Sequence, residues 1–419
     1  MEKNTTPINK HSDTWCPIPF NAISFHPTGV FTRCMMSDTA MGESYDSEQM
    51  QKLRQDMLDG KWDIKGCQTC YKKEQHGNIS QRQKWLLKNP HNFKNQQGFE
   101  NPQITGNPVN HMFINYSNIC NFKCRMCSPS FSNSLIPEFK ELQKNAVLPP
   151  WSTYISKNRN NFINDYLRNN PNELSSVTSI WITGGEPFMD NSVYELLNIL
   201  DENDKSFEID MCVTTNGSKI DLNKLQQFET LERFELDLSV DAPNHMFEYM
   251  RSAGIFTWKE MSKLMDELKY FQQINSNWFS LTLNSSIQAY NFDTIIQFDQ
   301  LCNFLGASNN SRQLLNPREF RVDVLPLEMR KEELKKIEKY EVNDASNSDR
   351  FQRTLDDAYK NLSKPQADLP HIKNFARRTV TVDKYRDMYL YDYHKQLGDW
   401  VYNTYKKYEL DKVTNYVTM

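Results

Sequence analysis

The chain has 419 residues, with 49 basic against 53 acidic side chains, 38% apolar and 12% aromatic residues. This balance excludes a chain-wide attraction to nucleic acid or to an anionic membrane, and the aromatic content excludes a disordered chain. No run approaches the ~18 apolar residues of a membrane helix, and the opening MEKNTTPINKHSDTW lacks the apolar core of a signal peptide, so a cytoplasmic protein without membrane contact is expected.

Residues 1–105 form an N-terminal part with few periodic segments and four cysteines, Cys16, Cys34, Cys67 and Cys70. FHPTGVFTRC reads as a hairpin that turns at Pro27–Gly29 and returns Cys34, and Cys67 with Cys70 makes a Cys-x2-Cys knuckle. Grouped cysteines in a cytoplasmic chain point to metal rather than to disulfides. Four thiolates suit zinc or an iron–sulfur cluster, and the bare chemistry favours zinc. His26 and His76 lie close by in sequence and read as surface or turn residues.

Residues 106–330 alternate strand-like and helix-like runs. Six β-rich runs are predicted: 111–117, 177–183, 207–215, 233–240, 279–287 and 320–326. Between them lie helical patterns such as FTWKEMSKLMDELKYFQQ, with Trp258, Met261, Leu264, Met265 and Leu268 at i, i+3, i+4 spacing. Strand–helix alternation implies a parallel sheet with right-handed crossovers. The expected fold is α/β: a partial (β/α)6 parallel barrel, with the cysteine-rich module before it and a helical C-terminal extension, residues 331–419, after it. Ligands of such folds bind at the C-terminal ends of the strands.

The first predicted barrel strand runs into NYSNICNFKCRMCSPS, where Cys120, Cys124 and Cys127 are spaced Cys-x3-Cys-x2-Cys. Three thiolates on one loop suit a soft metal or an iron–sulfur cluster. No fourth cysteine or histidine follows nearby, so a four-iron cube held here keeps one iron open to a ligand. The remaining cysteines, Cys212 and Cys302, sit in apolar stretches and read as buried small hydrophobes.

This loop resembles the signature of the radical S-adenosylmethionine (SAM) superfamily, and the resemblance extends across residues 110–330. It implies a catalytic [4Fe–4S] cluster on Cys120, Cys124 and Cys127 that binds S-adenosylmethionine. The second strand ends in WITGGEPFMD, and Gly184, Gly185, Glu186 and Pro187 match the family's GGEP segment, which binds the methionine amino group. Glycines let backbone approach a ligand, and a carboxylate pairs with an ammonium. The resemblance extends to Thr215 and Asn216 in VTTNGS and to Ser239 and Asp241 in LDLSVDAP, as ribose- and carboxylate-contacting positions. Arg251 resembles an arginine that contacts the methionine carboxylate, and Asn284 with Ser285 a polar contact near the nucleoside. Met126 stands where the family often has an aromatic beside adenine; its thioether can pack on a ring as well.

The N-terminal cysteines resemble the auxiliary-cluster module of SPASM and twitch radical SAM proteins, which implies a second [4Fe–4S] cluster on Cys16, Cys34, Cys67 and Cys70, with zinc as the alternative. In those proteins the module follows the barrel; here it precedes it. The implied reaction is reductive cleavage of S-adenosylmethionine to a 5′-deoxyadenosyl radical that takes hydrogen from a substrate, with flavodoxin or ferredoxin as reductant. The implied substrate is a peptide or protein side chain, or a small alcohol or sugar. Modification of a nucleotide or nucleic acid is the alternative enzyme, and an iron–sulfur electron carrier or zinc protein the alternative class. In the C-terminal extension, PLEMRKEELKKIEKYEV is expected as a barrel-covering helix, and the tyrosine-rich DKYRDMYLYDYHKQLGDWVYNTYKKYEL as a packed amphipathic helix.

Overall fold

In a computed structural model, which describes residues 14–26, 31–35, 40–61, 64, 66–75, 80–86, 100–144, 147–148, 162–314, 316–340 and 348–412, eight strands form one sheet in the order β2-β1-β3-β4-β5-β6-β7-β8. They are β1 (Ala22–Phe25), β2 (Phe31–Thr32), β3 (His111–Asn115), β4 (Ser179–Thr183), β5 (Asp210–Thr215), β6 (Arg233–Ser239), β7 (Phe279–Ile287) and β8 (Ser308–Gln313). The pairs β1–β3, β3–β4, β4–β5 and β7–β8 are parallel, and β1–β2 is an antiparallel hairpin. The hairpin is the one expected from FHPTGVFTRC; its turn, Pro27–Gly29, lies outside the described residues, as do His76 and the loop-like PPWST. Because β1 hydrogen-bonds along β3, the N-terminal segment lengthens the barrel sheet by two strands.

Alternation decides which side of each strand is covered. Ile180 and Ile182 of β4, Met211 and Val213 of β5, Phe234, Leu236 and Leu238 of β6, and Phe279, Leu281 and Leu283 of β7 are all buried. The helix Trp258–Ile274 packs on β7 through the stripe that its periodicity predicts, burying Met261, Leu264, Met265, Leu268 and Phe271. A capping box fixes its start: Thr257 and Glu260 exchange side-chain and backbone hydrogen bonds.

One expected strand is corrected. The run 320–326 is not the sixth barrel strand; it winds through two short 3-10 turns, Arg318–Phe320 and Val322–Val324. Its apolar residues Phe320, Val322, Val324 and Leu325 are buried in a core cluster with Tyr290 and Phe375. The true sixth barrel strand is β8, SNNSRQ, paired in register from Thr282↔Ser308 to Ile287↔Gln313. β8 carries no apolar alternation because its side chains bond instead: Asn309 donates to Asp299 (3.1 Å) and accepts from Ser311 N (3.0 Å).

The C-terminal region is helical, over Leu327–Lys339, Ser348–Leu362, Leu369–Arg386, Leu390–Tyr393 and Lys395–Lys407. The tyrosine-rich stretch is core packing, with Leu390, Leu397 and Val401 buried and Tyr393, Trp400, Tyr402 and Tyr405 packed against them. Cys302 is fully buried, as expected, and Cys212 is half-buried. By its contacts the chain divides into two compact units: Met1–Ser117 with Ser156–Val213 and Gln227–Phe234, and Asn118–Ile155 with Thr214–Gln226 and Glu235–Met419.

Candidate active site

The three-cysteine loop belongs to the second unit. Backbone and side-chain bonds fix its course. Ser134 Oγ donates to Cys120 O (2.5 Å), Asn133 Oδ1 accepts from Cys120 N (3.3 Å), Ser132 Oγ donates to Phe122 O (2.6 Å), and Cys127 N donates to Cys124 O (3.0 Å). Asn216 Nδ2 donates toward Cys120 Sγ (3.7 Å) and to Asn121 Oδ1 (3.1 Å). Thr215 closes the adjoining turn, its Oγ1 accepting from Gly217 N (3.0 Å). Burial pushes the Cys124 and Cys127 thiols up, and the nearby Cys124 and Cys120 push Cys127 further. Cys120 and Cys124 are buried and Cys127 half-buried, and thiols gathered on one loop gain from a metal centre that holds them as thiolates.

Arg125, between two of the cysteines, is the residue that sequence reasoning missed here. Its Nη2 donates to Asp383 (2.6 Å) on the helix Leu369–Arg386, its Nε to Tyr249 O (3.0 Å), and its guanidinium lies 3.6 Å from the Tyr249 ring centroid. Asp383 also accepts from Tyr249, Tyr402 and Leu390 N. Arg378 of the same helix donates to Arg125 O (3.3 Å) and to Glu319 (2.8 Å), and Arg386 pairs with Glu138 (2.7 and 2.9 Å). The C-terminal helix therefore backs the cysteine loop at several points.

Beside the loop lies a cavity of about 520 Å³, lined among others by Cys124, Met126, Cys127, Arg251, Ser286 and Arg378. Met126 and Arg251 were expected at such a site; Ser286 and Arg378 were not. Asp241 is fully engaged by the protein: Arg251 Nη1 donates to Oδ2 (2.5 Å), and Ser286 N donates to Oδ1 (2.6 Å). It therefore aims Arg251. Arg251 Nε is buried with no acceptor among the described residues, which leaves a charged donor for a ligand carboxylate. Ser285, singled out with Asn284, turns away, donating to Asp241 O (2.8 Å). Asn284 Nδ2 donates to Asp237 Oδ2 (3.2 Å), which also accepts from Thr214 Oγ1 (3.0 Å). Ser239, on the same strand as Asp237, is buried. Burial raises the Asp237 carboxyl from 3.8 to about 6, and its Oδ1 has no partner.

The glycine turn belongs to the first unit, at the end of β4. Gly184 has φ +84°, and a Cβ there would stand 1.7 Å from Asn115 Oδ1, so only glycine is accommodated. Asn115 Oδ1, at the end of β3, is a buried acceptor without a partner among the described residues. Gly185 also has positive φ. Glu186 is 2% exposed, and its Oε1 caps the 3-10 turn Pro187–Met189 by accepting from Phe188 N (3.1 Å). A buried carboxylate and an orphaned carbonyl oxygen suit an ammonium group.

The first unit also holds the four N-terminal cysteines, and all of them, Cys16, Cys34, Cys67 and Cys70, line a single pocket with Arg33 and Arg82. Burial raises the Cys16 thiol strongly, and the other three cysteines add to the rise. Burial raises the Cys67 thiol too, and Arg33 opposes it. Arg82 is ion-paired with Glu74 and donates to Trp15 O (2.9 Å). The donor set thus fits a four-thiolate centre. Among the described residues no three Cys, His, Asp or Glu side chains are spaced for a single metal ion; a four-iron cube takes its thiolates one per iron. His26 lies half-buried after β1 and outside this pocket lining.

Residues 114–275 match the family model of the Radical SAM superfamily. No curated protein sequence matches the chain. Among solved structures, hexahistidine-tagged anSMEcpe with bound AdoMet is 15% identical with a TM-score of 0.35, the match covering 55% of this chain and 59% of that one. Streptococcus suis SuiB bound to S-adenosylmethionine is 15% identical with a TM-score of 0.37, covering 68% and 61%. The same protein bound to precursor peptide SuiA is 14% identical with a TM-score of 0.37, covering 74% and 67%. The match therefore spans about three fifths of the length of the first two. No helix among the described residues is long and apolar enough to cross a membrane. The matched segment contains both the three-cysteine loop and the glycine turn, and over residues 114–275 the chain carries a radical SAM domain.

Proposed function

We propose that the enzyme acts on a peptide or protein side chain, or on a small alcohol or sugar, and that Cys120, Cys124 and Cys127 hold its [4Fe–4S] cluster. The observation that carries this is the cavity shared by Cys124, Cys127 and Arg251, with the Arg251 Nε donor unspent. When bound, the reduced cluster supplies one electron to S-adenosylmethionine, whose C5′–S bond breaks to methionine and the 5′-deoxyadenosyl radical that takes hydrogen from the substrate.

The chain's own residues do the placing. Arg251, aimed by Asp241, takes the methionine carboxylate. Within the first unit, Glu186 and Asn115 suit an ammonium, as the resemblance of the GGEP segment implies, and Gly184 with Gly185 lets the backbone come close. Asn216 holds the loop by its bond toward Cys120, while Thr215, Ser239 and Asn284 serve the nucleoside. Met126, Phe131, Phe139 and Leu148 give the cavity an apolar wall that keeps water from a reactive intermediate. Cys16, Cys34, Cys67 and Cys70 hold an auxiliary [4Fe–4S] cluster, on the resemblance to SPASM and twitch modules; with all four positions taken, it relays electrons or supports structure. That resemblance also carries the substrate class. The reductant is a flavodoxin or ferredoxin.

The test is anaerobic. The protein is reconstituted, its iron and sulfide are counted, and dithionite with S-adenosylmethionine is added before mass spectrometry for 5′-deoxyadenosine. Two cubes correspond to about eight irons. Nucleoside from the unmodified protein and none from C120A/C124A/C127A supports the reading. Absence of both nucleoside and any S-adenosylmethionine perturbation of the cluster EPR signal sinks it.

A further inference from the structure

We propose that Arg33 is a positioning residue that sets the reduction potential of the four-cysteine centre, holding it high enough to accept an electron. This rests on the reading of that site as a four-iron cluster. Arg33 is 5% exposed, precedes the ligand Cys34 in sequence, and lines the same pocket as the four thiols. Its Nη1 lies 4.0 Å from Cys67 Sγ.

The guanidinium is wedged in place. A Cβ on Gly66 would stand 2.9 Å from Arg33 Cζ, and Gly66 has φ +88°. Glycine at 66 is therefore what lets the arginine lie over the Cys-x2-Cys knuckle. The second guanidinium of the lining, on Arg82, has its charge offset by Glu74. Among the described residues, Arg33 is the cation that donates toward one of the four sulfurs.

The sign of its effect follows from charge. Four thiolates on an oxidised cube carry a net charge of about −2, and one added electron makes it about −3. A fixed cation 4.0 Å from one sulfur stabilises the more negative state more, and burial weakens the screening. The potential rises, which suits a centre that collects the electron left on a substrate radical.

The experiment is an EPR-monitored reductive titration in the C120A/C124A/C127A background, where only the N-terminal centre holds iron. R33Q is expected to keep its iron and to move the midpoint to more negative potential. R33K keeps most of the unmodified value. G66A, which pushes the guanidinium aside without removing its charge, gives a smaller shift of the same sign. If R33Q does not keep its iron, G66A carries the test. An unchanged midpoint in the iron-loaded variants overturns the role of Arg33 and leaves the cluster reading standing. A centre that takes zinc and shows no reducible iron overturns both.

Discussion

The three-cysteine loop and the four-cysteine pocket both gather buried and half-buried thiols, and burial raises Cys16 and Cys67 in the one and Cys124 and Cys127 in the other. They differ in what lies past the sulfur. All four N-terminal cysteines face one small lining that includes Arg33 and Arg82, and Arg82 is already committed to Glu74. Beside Cys124 and Cys127 the lining opens into about 520 Å³ and reaches a charged donor with no acceptor among the described residues. Thiol number alone does not separate a closed centre from one that binds a ligand. Spare volume beside the sulfurs does.

The sharpest break of that comparison is to remove each thiol set in turn. C120A/C124A/C127A should abolish 5′-deoxyadenosine formation, whereas C16A/C34A/C67A/C70A should lose iron and still yield the nucleoside, both read by mass spectrometry. Next is the support behind the open site. D383A leaves Arg125 buried and uncompensated, and should cost about 3–5 kcal/mol of stability in urea unfolding, with iron lost mainly from the three-cysteine loop. The spare donor comes third. R251Q should keep its iron and weaken S-adenosylmethionine binding by about 10–100-fold, the range for one charge-assisted hydrogen bond; an unchanged Kd in calorimetry would remove Arg251 from the site.

The smallest effect concerns Asp237. Its carboxyl is raised in the folded state from 3.8 to about 6 by burial, so its contribution to stability is fully present below about pH 4 and lost as pH rises through 6. D237N should match the unmodified protein at pH 4 and exceed it by up to about 3 kcal/mol above pH 7. Equal stabilities at both pH values would show that Asp237 ionises without penalty.

Much of this was legible in the sequence because the signals were local. The alternation of β4 to β7 and the i, i+4 stripe of Trp258–Ile274 each lie within one element. The cysteine spacing and the glycine turn are equally compact. What escaped was long-range or polar. β8 has no apolar face, since Asn309 spends its side chain on Asp299, while the apolar run 320–326 serves the helical core rather than the sheet. Ser286 rather than Ser285 lines the cavity because successive strand residues point to opposite faces. The i, i+2 rule applied from Asn284 would have found it. Arg378 and Asp383 carry no motif, and only folding brings them to the loop.

The Arg125–Asp383 pair joins residues 258 positions apart, whereas the Cys16, Cys34, Cys67 and Cys70 pocket is complete within the first 82 residues that line it. A chain made from its N-terminus can therefore assemble the four-thiolate site while most of it is still on the ribosome. The support that the helix Leu369–Arg386 gives Arg125 in the three-cysteine loop comes only later. If both sites take the clusters proposed for them, metallation should follow the same order, the four-cysteine site first and the three-cysteine loop second. Iron uptake followed by EPR during refolding would show the two centres filling together if the loop were set without that helix.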